Sequence, residues 1–295
     1  MAGIGHFVSA DARRRYFAAY DKAMADGPVP LDQRDIPTTF GTVRVHRHGT
    51  GSGPPVVLLH GRSATSAMWQ PNLRALAAQH PVHTIDTLGE PGRSVQALPI
   101  TSPADQAGWL AEVLTELDVP AVHLVGASAG GWLAFNHAAH VPEQVASLTL
   151  LDPANVLARF SPAFVLGAFS TLPVVPRSMT DQFLSWTSGD PPMDSPVAQL
   201  LVAGLREYRM HLPMPSYPAD DVLRSLRVPT LALLGGRSVV HDPEAAKARA
   251  LRLIRGCEAE VWPDASHAIS GEQADRVNAR ILAFLARRRP RDADR

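Results

Sequence analysis

The sequence predicts an α/β fold: a mostly parallel, doubly wound sheet with an inserted helical cap. Short apolar runs at 56–60, 121–125, 145–151 and 230–234 alternate with segments of helical periodicity, the order that builds a parallel sheet covered on both faces. These runs are almost continuously apolar, as a strand buried on both sides requires. From 154 to 226 the alternation stops, and Pro, Met, Phe and Leu dominate without strand-like patterning. The 295 residues suit one α/β domain with an insertion. They divide into an N-terminal helical extension (1–30), a core (31–153 and 227–289), a cap (154–226) and a tail (290–295).

Residues 1–26 read as one helix, with Phe7, Ala10, Tyr16, Phe17 and Tyr20 supplying apolar surface and Gly27-Pro28 stopping it. It reads as a packing extension over the core. Residues 35–40 and 42–48 alternate around Gly41 as a hairpin, and 49–55 form a loop. The 56–60 strand ends in His60-Gly61-Arg62-Ser63. A helix over 66–79 places Trp69, Leu73 and Leu76 on one face, and 82–86 is a strand before the turn Gly89-Glu90-Pro91-Gly92-Arg93-Ser94. The 103–117 helix turns Trp109, Leu110, Val113 and Leu114 inward. After a helix at 131–141, the 145–151 strand closes on Asp152-Pro153. Helices at 243–254 and 272–287 flank a strand at 259–262, and no internal repeat is evident.

Composition narrows the function. Basic and acidic residues balance at 28 each, so no global charge favours nucleic acid or an anionic membrane. The Arg287-Arg288-Arg289 cluster reads as the basic end of a helix beside a frayed tail. Cys257 stands alone, which excludes an intrachain disulfide and thiolate metal spacing, and it reads as an inert thiol. Asp11, Arg13, Arg14 and Arg15 interrupt any signal-peptide core, and no uncharged stretch is long enough to span a bilayer. The expected compartment is the cytoplasm, with no membrane insertion. Nothing in the sequence marks an oligomeric state.

The chemistry centres on Gly126-Ala127-Ser128-Ala129-Gly130, at the corner between the 121–125 strand and the following helix. A serine between small residues at such a corner is a nucleophile elbow, where side chains at 126 and 130 would collide with their neighbours. Serine needs a base, and His267 follows the 259–262 strand in a loop that shares the carboxyl edge of the sheet with Ser128. An oxyanion hole needs two N–H donors. Ala129 offers one from the helix N-terminus, and Arg62 the second from the loop after His60-Gly61. His60 reads as structural, its ring bonded to nearby backbone.

With those residues in place the chain resembles the α/β-hydrolase family from about residue 38 onward. His60-Gly61-Arg62, the Gly126 to Gly131 elbow, His267, the Gly89 to Ser94 turn and the insertion after Asp152 carry the likeness. It is similar to bacterial serine carboxylesterases with a helical N-terminal extension. The resemblance implies an eight-stranded sheet, Ser-His-acid catalysis and no cofactor or metal. The family's usual acid position, past the strand at 230–234, holds Ser238. A serine cannot supply the charge, though it could orient the imidazole. Two carboxylates remain open as the acid: Asp152, where some family members carry theirs, and Asp242, which also reads as a helix N-cap.

The expected function is hydrolysis of a small-molecule carboxylic ester or lactone by Ser128, His267 and Asp152, with Arg62 and Ala129 at the oxyanion. Phe160, Phe164, Phe169, Trp186, Met193, Met210, Met214 and Tyr217 in the cap point to a largely apolar substrate. The alternatives are a non-hydrolytic lyase or cyclase using His267 alone as base, and a silent ligand-binding homologue.

Overall fold

Residues 3–119, 121–172, 174–189 and 192–287 are described in a computed structural model. In chain order the elements are β1 (His6–Phe7), α1 (Ala10–Ala25), β2 (Asp32–Thr38), β3 (Gly41–His48), β4 (Val56–Leu59), α2 (Gln70–Ala77), β5 (Val82–Ile85) and β6 (Val95–Gln96). There follow α3 (Pro103–Glu116), β7 (Val122–Ala127), α4 (Ala129–His140), β8 (Val145–Leu151), α5 (Pro162–Ala168), α6 (Arg177–Ser188) and α7 (Pro196–Glu207). The chain closes with β9 (Tyr208–Arg209), α8 (Asp220–Ser225), β10 (Thr230–Gly235), α9 (Pro243–Leu253), β11 (Glu258–Trp262), α10 (Ile269–Glu272) and α11 (Ala274–Ala286).

The large sheet runs β11-β10-β8-β7-β4-β5-β3-β2, and β6 pairs with β3 as a ninth strand. The eight on the through path match the family expectation; two-residue β6 is additional. Pairing is parallel from β11 to β5 and antiparallel at β5–β3 and β3–β2. One buried cluster joins the sheet to α3, α4 and α9 through Trp109, Leu110, Phe135 and Leu253. The other joins it to α2 and α11 through Leu73, Leu76, Ile281 and Phe284. Each fully buried side chain of this kind contributes roughly 1.5–3 kcal/mol, so the carboxyl edge of the sheet is a stiff platform.

The N-terminal expectation needs two corrections. Ser9 ends the extended segment, its Oγ accepting the Ala12 N–H at 3.0 Å, so the helix begins at Ala10 and not at the start of the chain. The freed residues pair as β1 with β9, His6 opposite Arg209 and Phe7 opposite Tyr208. The extension also packs on α7, where Tyr16, Tyr20 and Leu200 share a cluster. It thus braces the segment between β8 and β10 rather than only covering the core. Likewise the 66–79 helix divides into a 3-10 turn, Ser66–Trp69, and α2, and the 272–287 helix starts at Ala274 as α11, with the short α10 ahead of it. The 290–295 tail, Arg288 and Arg289 lie outside the described residues, while Arg287 pairs with Glu258 at 2.7 Å.

Between β8 and β10 the chain holds α5, α6, α7, the two-residue β9 and α8. Gly167 lets α5 close on α6, where a Cβ would press into the Phe183 ring. Phe160, Phe164, Phe183 and Trp186 follow one another at ring separations of 5.2, 5.7 and 6.0 Å. Tyr217 lies between the guanidinium groups of Arg159 and Arg249. No helix among the described residues is long and apolar enough to cross a membrane.

Candidate active site

Only Ser128 separates β7 from α4, and its backbone sits at φ 52°, ψ −118°, outside the regions open to an L residue at low cost. A Cβ on Gly126 would run into the Gly130 carbonyl, and one on Gly130 into the carbonyls of Leu59 and His60. The corner therefore exists only with both glycines. Its strain is held from outside: Ser128 N–H donates to Leu151 O at 3.0 Å, and Ser128 O accepts the Ala154 N–H at 3.0 Å. These bonds tie the corner to the end of the neighbouring strand, β8.

His267 lies in the loop after β11. Ser266 N–H donates to Glu272 Oε2 at 2.6 Å, and Arg237 N–H to Ala265 O at 2.9 Å, so the loop is fastened at the two residues just before the histidine. Its Nε2 stands 2.9 Å from Ser128 Oγ and its Nδ1 2.5 Å from Asp152 Oδ2. Ser128, His267 and Asp152 thus form one hydrogen-bonded line at the carboxyl ends of β7, β11 and β8. The imidazole side chain is 15% exposed and the carboxylate not at all, so the aspartate end of the line is closed to solvent.

Asp152 is held in a left-handed backbone position, φ 42°, by its N–H bond to Leu233 O at 2.8 Å. Its Oδ1 accepts the Gly235 N–H at 2.9 Å, and its Oδ2 the Ser238 hydroxyl at 2.7 Å. Burial works to raise this carboxyl, but the nearby His241, the bond to His267 and the Ser238 hydroxyl together hold it below the usual carboxylate range. Ser238 therefore bonds the carboxylate and not the imidazole, the other partner open to a serine at this position. His241 escaped sequence reading: it is buried, with Nε2 3.5 Å from Asp152 Oδ1 and no hydrogen-bond partner for either ring nitrogen among the described residues. Its only signal was closeness to Ser238 in sequence. Asp242 is elsewhere, capping α9 by accepting the N–H groups of Glu244 and Ala245 at 3.0 Å each.

Ala129 opens α4, so its N–H has no acceptor one turn back and points out of the positive end of the helix. The other oxyanion candidate lies in a loop pressed against the nucleophile: a Cβ on Gly61 would sit 3.5 Å from Ser128 Cβ. Arg62 and Ala129 border the same small cavity, of about 20 Å3. The Arg62 guanidinium turns to Met210, donating to Sδ at 2.8 Å. His60 is bonded to backbone on both sides, Nε2 accepting the Thr87 N–H at 2.9 Å and Nδ1 facing Gly61 O at 2.7 Å. Away from the site, burial and Glu258 push the half-buried Cys257 thiol up to about 12, which leaves it unreactive near neutrality. No group of three or more His, Cys, Asp or Glu among the described residues is placed to hold a metal ion.

A serine on a strained corner, reached by a histidine that an aspartate anchors, on a doubly wound sheet, defines a protein of the α/β-hydrolase class. Residues 56–280 match the model of the alpha/beta hydrolase family, and the chain belongs to that family. It is 32% identical to the Bacillus subtilis protein named uncharacterized carboxylesterase nap, over 92% of each chain. Carboxylesterase YbfK of the same organism is 29% identical over 95% of this chain and 96% of its own. Among solved structures, B. subtilis carboxylesterase CesB (YbfK) superposes with a TM-score of 0.88 at 28% identity, covering 94% of this chain and 99% of that one. B. subtilis naproxen esterase (carboxylesterase NP) gives 0.86 at 31% identity, with 94% and 99% covered.

Proposed function

We propose that this protein hydrolyses a carboxylic ester or lactone of a small, largely apolar molecule through an acyl-enzyme on Ser128. The observation that carries the reading is the unbroken line from Ser128 Oγ through the His267 ring to Asp152. Similarity to proteins named carboxylesterases over more than nine-tenths of the chain supports the choice of an ester bond. Ser128 Oγ attacks the carbonyl carbon while His267 Nε2 takes its proton. The N–H groups of Ala129 and Arg62 receive the oxyanion. The intermediate collapses, the alcohol leaves with the proton from His267, and water, activated by the same nitrogen, releases the acid. Asp152, ionised by its donors, stabilises the imidazolium in both halves.

An apolar substrate fits the aromatic run in the cap. Gly189, at the end of α6, lies against Ser266, one residue before His267, and Trp186 precedes it by about one turn. From Trp186 the aromatic run continues through the tilted rings of Phe183 and Phe164. The non-hydrolytic alternative was motivated by a missing acid, and the 2.5 Å approach of Asp152 Oδ2 to His267 Nδ1 supports the hydrolytic reading over it. A fluorophosphonate probe should label the folded protein and fail to label Ser128→Ala. A folded wild-type protein that resists the probe and leaves p-nitrophenyl esters intact would overturn the reading.

A further inference from the structure

The cavity bordered by Arg62 and Ala129 has Trp132, Leu133 and Leu212 in its lining, yet polar residues interrupt that apolar surface. Thr87, Glu90 and Gln106 line it, all buried. Thr87 Oγ1 has no hydrogen-bond partner among the described residues. Gln106 Oε1 accepts the Trp109 indole N–H at 2.8 Å, which commits its acceptor and leaves the amide donors over. Glu90 is 4% exposed, and one of its oxygens accepts the Ser63 N–H at 2.5 Å. Arg62 lines the same cavity, but its guanidinium turns to Met210 and makes no ion pair with Glu90. A buried carboxylate left short of donors, beside a hydroxyl with no partner, is costly unless something else completes their bonding.

We infer that this cavity is a subsite for a single hydroxyl group on the acyl portion of the substrate, so that the preferred esters are those of hydroxy acids. The inference rests on Ser128 being the nucleophile. A hydroxyl is the group that donates to Glu90 and also accepts from Thr87. A carboxylate is refused by the charge of Glu90, and a methyl group leaves the Thr87 hydroxyl unpaired and brings Glu90 no donor. Size agrees: a cavity of about 20 Å3 is close to what one water-sized group occupies. Position assigns the hydroxyl to the acyl side, because the cavity borders the two residues whose N–H groups would hold the carbonyl oxygen. A hydroxyl one or two carbons from the carbonyl would reach it.

The test compares p-nitrophenyl butyrate with its 2-hydroxy and 3-hydroxy analogues, each kcat/KM divided by that ester's own alkaline hydrolysis rate. The expected result is that at least one hydroxy ester is preferred about tenfold or more, a modest share of what a site built for a substrate hydroxyl can achieve. In Thr87→Val, and separately in Glu90→Leu, the preference should fall to within about twofold of unity. Thr87→Val preserves shape, so it decides the matter even where Glu90→Leu fails to fold. A ratio near one for both hydroxy esters in the wild type, or a preference unchanged in Thr87→Val, overturns the subsite. Turnover of plain butyrate without preference sinks this inference alone, whereas no turnover of any ester, with no fluorophosphonate labelling, sinks the reading of Ser128 as well.

Discussion

Two aspartates in this molecule are nearly twins. Asp86 follows β5 and Asp152 follows β8, both completely buried at the carboxyl edge of the sheet. Both are held below the usual carboxylate range although burial pushes the other way. Asp86 accepts from Ser66 N–H at 3.0 Å, Ser66 hydroxyl at 2.8 Å, Tyr20 hydroxyl at 2.8 Å and Arg93 N–H at 2.9 Å. Asp152 accepts from Gly235 N–H, the Ser238 hydroxyl and His267. The difference is one donor. Every partner of Asp86 ends in structure, whereas one partner of Asp152 continues to Ser128. A buried, well-bonded carboxylate is therefore not by itself a site; what its donor touches next decides.

The comparison breaks most visibly at Asp152. Asp152→Asn keeps the volume but removes the charge and favours the wrong imidazole tautomer, an exchange that lowers kcat roughly 10⁴-fold in serine proteases. Steady-state kinetics on an activated ester should show a loss of that order, mainly in kcat. A loss of only a few-fold would return Asp152 to the structural class of its twin.

The matching exchange at Asp86 should damage stability rather than chemistry. An amide there turns an N–H toward at least one of the Ser66, Tyr20 or Arg93 donors, and a broken buried network of this kind costs about 3 kcal/mol. Denaturant unfolding of Asp86→Asn should show that loss, with a fall in kcat at least roughly 100-fold smaller than that of Asp152→Asn. Equal rate losses in the two variants would abolish the distinction.

Sequence pattern left the acid open between Asp152 and Asp242, and the reason is physical. Strands, the glycine-flanked elbow and the placement of His267 rest on local periodicity and chain order, and the structure brings Ser128 and His267 together at 2.9 Å. Which carboxylate meets Nδ1 depends on a contact between residues 115 positions apart, so Asp152 and Asp242 stayed open until the loops were in place. The same limit hid the pairing of β1 with β9, two residues on each side from distant parts of the chain. It also hid Glu90, which reads as one residue of a turn until Ser63 and the cavity surround it.

The finest form of the comparison sets Ser238 against Asp242, the residue in the family's usual acid position and the carboxylate four places beyond it. Ser238 donates to Asp152 Oδ2, the same oxygen that faces His267, so the two donors share one acceptor. Ser238→Ala removes a hydrogen bond to a charged group, worth about 1.5–3 kcal/mol in general. Much of that is recovered when the carboxylate leans further on His267, so kcat should fall only about tenfold or less. Asp242→Asn retains an equally good helix cap and touches nothing in the line, so its rate should remain within about twofold of wild type. Measured side by side on one ester, a larger loss at Asp242 than at Ser238 would mean that the imidazole draws its charge from the loop after β10, and that the bond from Asp152 orients the ring without supplying the charge.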